Sequence, residues 1–381
     1  MAIYLDNQTV TRPSTRAVEA MIPFLKERWG SPGAPYSFGQ ELLPVVGDAF
    51  RSIYKLLGAS KEAALIATSG AAEAIAQIYA ALPALALKRG RNHLITTNVE
   101  EAPITLGTGR LDLPITTLSV GPEGYVTAQA FAEALTPRTL LATLSWANGL
   151  TGVLQPIEEI ATLCRDRGVL LHLDATHLIG KIPFSLAELP VDFVTFEGVL
   201  FHAPRGTGGL YIRPGLRLSA FIPGSQAQGG LRSGPLNLPS LIALGRAAEE
   251  ALLNQTHLLT ETARLRNTFE EALLHHLPTT QPLFRSSERL PHITALAFPG
   301  ADNDALLYLL NRRGLFASFG GENYRQIALI LQASNLDPSL ARSALSFGLS
   351  LHTTDQEIDE AVKIVAGAAA QLQRLSQKIE K

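Results

Sequence analysis

Residues 157–174 read IEEIATLCRDRGVLLHLD, and this run sets the fold class. Its first part, 157–166, spaces apolar residues at the helical period and ends at Gly168. Residues 169–173 follow as a short uninterrupted apolar run that closes on an acid, Asp174. Helix then buried strand is one step of a βαβ unit. The same alternation recurs outward in both directions. Apolar runs at 64–68, 93–96, 139–144 and 193–196 are bounded by polar residues or glycine, and 210–213 follows the glycine-rich turn 205–209. Helix-period stretches lie among them at 71–88 and 128–135. These features predict an α/β fold: right-handed crossovers and a mostly parallel sheet sandwiched by helices.

Past the sheet, residues 239–275 predict one long helix that connects two domains. An apolar run at 292–298, a helix near 304–313, a second run near 343–351 and a last helix from Asp355 predict a small α+β C-terminal domain. Thr354 with Glu357 three residues on has capping-box spacing.

The chain's 381 residues suggest two domains at ~150 residues each. Charged residues make up 17%, below the usual quarter, while 46% are hydrophobic, so surface is expected to be hidden in a subunit interface or a deep cleft. With 32 basic and 34 acidic side chains the net charge is −2, which leaves no electrostatic footprint for nucleic acid or an anionic membrane. The single Cys164 has no internal disulfide partner, and no Cys/His metal spacing occurs. The start, MAIYLDNQ, has no basic segment leading into an apolar run. The longest uncharged run, 139–157, is broken by Asn148, Gly149, Gly152 and Pro156, so it is not read as a membrane span. A soluble cytoplasmic protein is the expectation.

In α/β sheets ligands sit at the carboxyl ends of strands. Thr68-Ser69-Gly70 follows one strand and opens a helix, which makes either an anion site or a plain cap. His172, Asp174 and His177 lack a further ligand at metal spacing, so no metal is expected. Gly180-Lys181 is not a phosphate loop, because position 175 is Ala. Asp174 ends an apolar strand, so burial requires a cationic or hydrogen-bonding partner, or a role in capping the next helix.

A series of short motifs spans nearly the whole chain. In order they are Ile3-Tyr4-Leu5-Asp6-Asn7, Trp29-Gly30-Ser31-Pro32, Thr68-Ser69-Gly70 with Glu73, Asn98-Val99-Glu100, and Ala147-Asn148 with Thr151-Gly152. Leu173-Asp174-Ala175, Gly180-Lys181-Ile182-Pro183, Phe201-His202-Ala203-Pro204-Arg205-Gly206, Arg232-Ser233-Gly234 and Thr353-Thr354 follow. The series resembles the cysteine desulfurases, in the class V aminotransferase branch of the fold-type I pyridoxal-phosphate enzymes. The resemblance implies a homodimer with a large domain, 14–255, holding pyridoxal 5′-phosphate at the subunit interface, and a small domain built from 1–13 with 256–381. In that family a lysine binds the cofactor as an aldimine, an aspartate pairs with the pyridine nitrogen, and a mobile cysteine attacks the substrate's sulfur.

Two of these positions are kept: Asp174 falls on the pyridine aspartate and Asn148 on the family's site asparagine. The rest have changed. The aldimine lysine falls on Leu200, the histidine before it on Val199, and a phosphate-binding serine on Glu197. Beside Ser69 and Gly70, the phosphate-binding threonine falls on Ala72; the ring-stacking histidine falls on Glu101. His177 replaces a glutamine, Pro235 replaces the threonine after Arg232-Ser233-Gly234, and Ser346 replaces the substrate arginine. The cysteine loop, Ala317-Ser318-Phe319-Gly320-Gly321-Glu322, has no cysteine.

A phosphate dianion needs convergent donors. One carboxylate opposing it at an effective dielectric near 20 costs about 4 kcal/mol at hydrogen-bonding range. On this reading the chain is a non-catalytic binding or regulatory homodimer. The alternative is an altered-chemistry enzyme that holds pyridoxal or pyridoxamine phosphate non-covalently through Asp174, with Glu101 as base. With Glu101, Asp174 and Glu197 converging, the old cleft is expected to suit a small neutral or cationic ligand. A heterodimer with an active paralogue is a further arrangement that the shared interface allows.

Overall fold

The protein is described by a computed structural model covering residues 2–321 and 326–379. Seven strands form the central sheet: β1 Ala64–Thr68, β2 His93–Thr97, β3 Ile115–Leu118, β4 Thr139–Ser145, β5 Leu170–Asp174, β6 Phe193–Glu197 and β7 Gly208–Ile212. Their order is β1-β7-β6-β5-β4-β2-β3. Only β7 runs against the rest, pairing antiparallel with both β1 and β6. Every residue of β4 and β5 is buried, as a strand covered on both faces demands. The expected α/β architecture is therefore present.

Helices α1 Thr15–Lys26, α2 Leu43–Leu56, α3 Ala71–Arg89 and α4 Ile157–Arg167 flank the sheet. The decisive run behaves as read, because Gly168 takes the left-handed conformation that ends α4 (φ 63°) and releases the chain into β5. Several elements escaped the sequence reading, α1, α2 and β3 among them. Helix α1 carries Pro23 and α2 has a proline in its first turn, and both break a periodicity search. Strand β3 is only half-buried, so its apolar signal is weak. Strand β7 starts inside the glycine-rich turn rather than after it. A Cβ on Gly208 would stand 2.6 Å from Gly70 Cα, and only glycine permits that approach.

The long connector is two helices, α5 Leu238–His257 and α6 Ala263–His276, joined by a π turn at Leu258–Thr262. One extra residue per turn there keeps the rod continuous while rotating its apolar face. Helix α5 packs against α1 and α2. Strands β8 Ile293–Ala297 and β9 Ala344–Gly348 pair antiparallel, and the last helix, α7, spans Asp355–Ile379. Its capping box is closed in both directions: Thr354 N donates to Glu357 Oε2 at 2.9 Å and Glu357 N donates to Thr354 Oγ1 at 3.2 Å.

Strand β8 divides two apolar clusters by its period of two. Ile293, Ala295 and Ala297 join the large core under the sheet. Leu296 joins a second cluster with Phe269, Phe298, Phe347 and Val365. Residues Ile3 and Leu5 lie in that second cluster too, because Ile3–Tyr4 pairs in parallel with Leu315–Phe316. Among the described residues no helix is long and apolar enough to cross a membrane.

Candidate functional site

The carboxyl ends of β1, β5 and β6 converge on the first turn of α3. Ser69 N donates to Glu73 Oε2 at 2.7 Å, and Glu73 is ion-paired in turn with Arg232. Burial raises the Glu73 pKa, but Arg232 and the Ser69 amide outweigh it and hold the carboxyl below its usual range. Two residues on, Ala71 N donates to Glu197 Oε2 at 2.8 Å. Burial pushes Glu197 up, against the Ala71 amide. Ala72, beside them, is exposed. Of the two readings of this turn, anion site or cap, the one seen is the cap: carboxylates of this chain take the Ser69 and Ala71 amides.

Asp174 is 5% exposed and its Oδ1 accepts three bonds, from Thr176 N (3.1 Å), Thr176 Oγ1 (2.6 Å) and Thr195 Oγ1 (3.2 Å). The Thr176 pair closes a turn and not the helix cap that the sequence left open, since no helix follows this strand before β6; Thr195 is the tertiary partner that burial required. Burial is the main cause of its raised pKa. Behind Asp174 runs a hydrogen-bonded file: Tyr79 Oη to Thr143 Oγ1 (2.8 Å), Thr143 Oγ1 to His172 Nδ1 (2.7 Å) and His172 Nε2 to Thr195 Oγ1 (3.0 Å). Thr195 donates to the carboxylate, so it must accept from His172 Nε2–H. Nδ1 then accepts from Thr143, which accepts from Tyr79. Burial holds His172 neutral by pushing its pKa down to about 3. It is a core histidine inside a polar file, satisfied at both nitrogens.

His177 Nε2 stands 3.6 Å from Glu101 Oε1, and Gly149 makes room for its ring. Asp174 feels the charges of Glu101 and His177, and Glu197 feels those of Asp174 and His177. Glu101, Glu197 and His177 thus lie within electrostatic reach of Asp174. Asn148 turns inward instead. Its Oδ1 accepts from Leu150 N and Thr151 N, each at 3.0 Å, and fixes a loop.

Val199 and Leu200 are buried in the 3₁₀ turn Gly198–Phe201. The Leu200 carbonyl receives the Nζ of Lys181, which is 4% exposed and pushed down to about 8 by burial. Ser346 sits inside β9, with its Oγ donating to Leu150 O at 2.7 Å. Its backbone pairs with Ser318, N to O in both directions at 3.1 and 2.7 Å, which ties the Ala317–Gly321 stretch to β9. Glu322 of that loop lies outside the described residues.

Sequence reasoning missed Glu100. It is 1% exposed, takes Thr97 Oγ1 and Ser145 N at 2.6 Å each, and is pushed up to about 7 by burial. It stands in the Asn98-Val99-Glu100 motif, just after an apolar strand, but was given no role. Thr195 was missed as well, although it alternates with Glu197 on the face that His172 shares with Asp174.

Comparisons with known proteins agree over almost the full length. The family described as aminotransferase class-V matches residues 3–361. A cysteine desulfurase of Gluconacetobacter diazotrophicus is 33% identical over 382 residues, covering 98% of this chain and 95% of that protein. The cysteine desulfurase NifS of Azotobacter vinelandii is 33% identical over 380 residues, covering 98% of this chain and 94% of its own. A solved NifS-like protein superposes with a TM-score of 0.91 at 28% identity, covering 97% of this chain and all of that one (100%).

Proposed function

This chain belongs to the aminotransferase class-V family as a cysteine desulfurase-like member on the fold-type I scaffold, and we propose that it is a non-catalytic binding or regulatory subunit. Pyridoxal 5′-phosphate is the family's cofactor. The observation that carries the proposal is Leu200. The residue that falls on the aldimine lysine has no amine, and the buried amine nearest in function, Lys181, is committed to the Leu200 carbonyl. A second observation supports it: Cys164 is buried in α4 and its thiol is pushed up to about 12 by burial, so it does not serve as a nucleophile.

The residues at the α3 amides do not fit the cofactor's phosphate. Glu197 already takes the Ala71 amide, and Glu73 takes the Ser69 amide. No step through the cofactor is derived. The subunit is proposed to be a cytoplasmic homodimer, or a heterodimer with an active paralogue. Its two-domain division is 14–255 and 1–13 with 256–381, and its ligand is small and neutral or cationic. The test is sulfide release from cysteine under reducing conditions. None above a protein-free control is expected, and sulfide in proportion to protein would end the proposal.

A second reading is favoured by Asp174 alone. Three donors converge on Oδ1, which leaves Oδ2 for a ring nitrogen. On that reading pyridoxal or pyridoxamine phosphate binds without covalent attachment, with Glu101 as base. Titration with pyridoxal phosphate followed by borohydride and peptide mapping separates the readings: saturable absorbance without a labelled peptide supports the second.

A further inference from the structure

The amino end of a helix gathers unpaired amides and the positive end of the macrodipole, and so holds an anion. At α3 that anion is built into the chain. Glu197 is the last residue of β6, and β7 is drawn against Gly70 because Gly208 has no side chain. The Glu197 carboxylate therefore reaches the Ala71 amide at 2.8 Å. Its two oxygens lie 2.7 and 2.9 Å from where a Cβ on Gly70 would stand, so Gly70 and Glu197 are fitted to each other. Arg232, the nearby cation, is spent on Glu73. No cation is ion-paired with Glu197 among the described residues; the Ala71 amide and the helix end stabilise it, with His177 acting from a distance.

We propose that Glu197 is an internal anion ligand that closes the α3 cradle to phosphate, so that the cleft above Asp174 selects unphosphorylated ligands. The inference deepens the reading of the chain as non-catalytic and rests on it, but it concerns anion selectivity alone. Two consequences follow from charge and shape. Replacing Glu197 by serine frees the Ala71 amide and removes the opposing charge. Replacing it by glutamine removes the charge but leaves a carbonyl that still caps the amide.

The experiment uses the full chain and three probes: inorganic phosphate, pyridoxal 5′-phosphate and unphosphorylated pyridoxal. Binding is followed by calorimetry and by ³¹P linewidths. Wild type is expected to bind pyridoxal at least as tightly as its phosphate and to leave inorganic phosphate free. Glu197→Ser should bind inorganic phosphate at least tenfold tighter than wild type and should reverse the preference between the two pyridoxal forms. Glu197→Gln should show a smaller gain, and it decides the matter if the serine variant melts below the assay temperature. Wild type favouring pyridoxal phosphate tenfold over pyridoxal would overturn the proposal. So would a natively folded serine variant with no gain, or, where serine fails to fold, a glutamine variant with none. Sulfide release by wild type, with the serine variant still gaining phosphate, would remove the non-catalytic reading and leave the anion plug intact.

Discussion

At Asp174 the burial of a charge is answered by hydroxyls and an amide. The sequence made the need for a partner legible, since an acid closing an apolar strand has to be compensated. The partner was not legible, because Thr195 lies 21 residues away on a neighbouring strand. Thr195→Val should leave His172 Nε2–H without an acceptor and Asp174 with one donor fewer, at a cost of about 1–3 kcal/mol in chemical denaturation. Glu100 gives a pH signature. Its carboxyl is raised from 4.5 to about 7 by burial, so the folded chain keeps a proton that the unfolded chain releases. Stability from this group is full below about 4.5 and is lost as pH rises through about 7. Glu100→Gln should flatten that slope in melts taken between those limits.

Among the elements, punctuation was read well where one residue does the work. Gly168 ends α4, and the Thr354–Glu357 box starts α7 as its spacing requires. Thr354→Ala should therefore cost about 1 kcal/mol, seen as a lower melting temperature with no other change. Legibility failed where an element carries its own breaker or half its surface. Pro23 hides α1, and β3 shows too little apolar pattern. The start of β7 was misplaced because glycines that look like a turn are there for close packing. Gly208→Ala would drive a methyl into the Gly70 backbone, and it should destabilise the chain more than Thr354→Ala does.

Over the whole molecule the sheet, the order of motifs and the family were legible, because each depends on many residues at once. The inner wiring of the site was not, since a hydrogen-bonded file through one helix and three strands leaves no spacing in the sequence. One long-range anchor shows the same limit. Glu270 on α6 is fully buried and takes Arg289 Nη1 at 3.0 Å and Thr294 Oγ1 at 2.7 Å, joining α6 to β8 and the segment before it. Glu270→Ala should strand Arg289 in the interior and cost about 3–5 kcal/mol, measured by urea denaturation. The pairing of Ile3–Tyr4 with Leu315–Phe316 has a consequence in time rather than in energy. Leu5 O accepts from Gly348 N at 2.7 Å, and Asn7 Nδ2 reaches the Gly348 carbonyl at 2.9 Å across 341 positions. During synthesis residues 3–7 emerge long before anything they bind, and contacts of such separation close late. Folding of this chain therefore ends with residues 3–7, and a ribosome stalled before residue 348 should carry a formed sheet with this segment still open to protease.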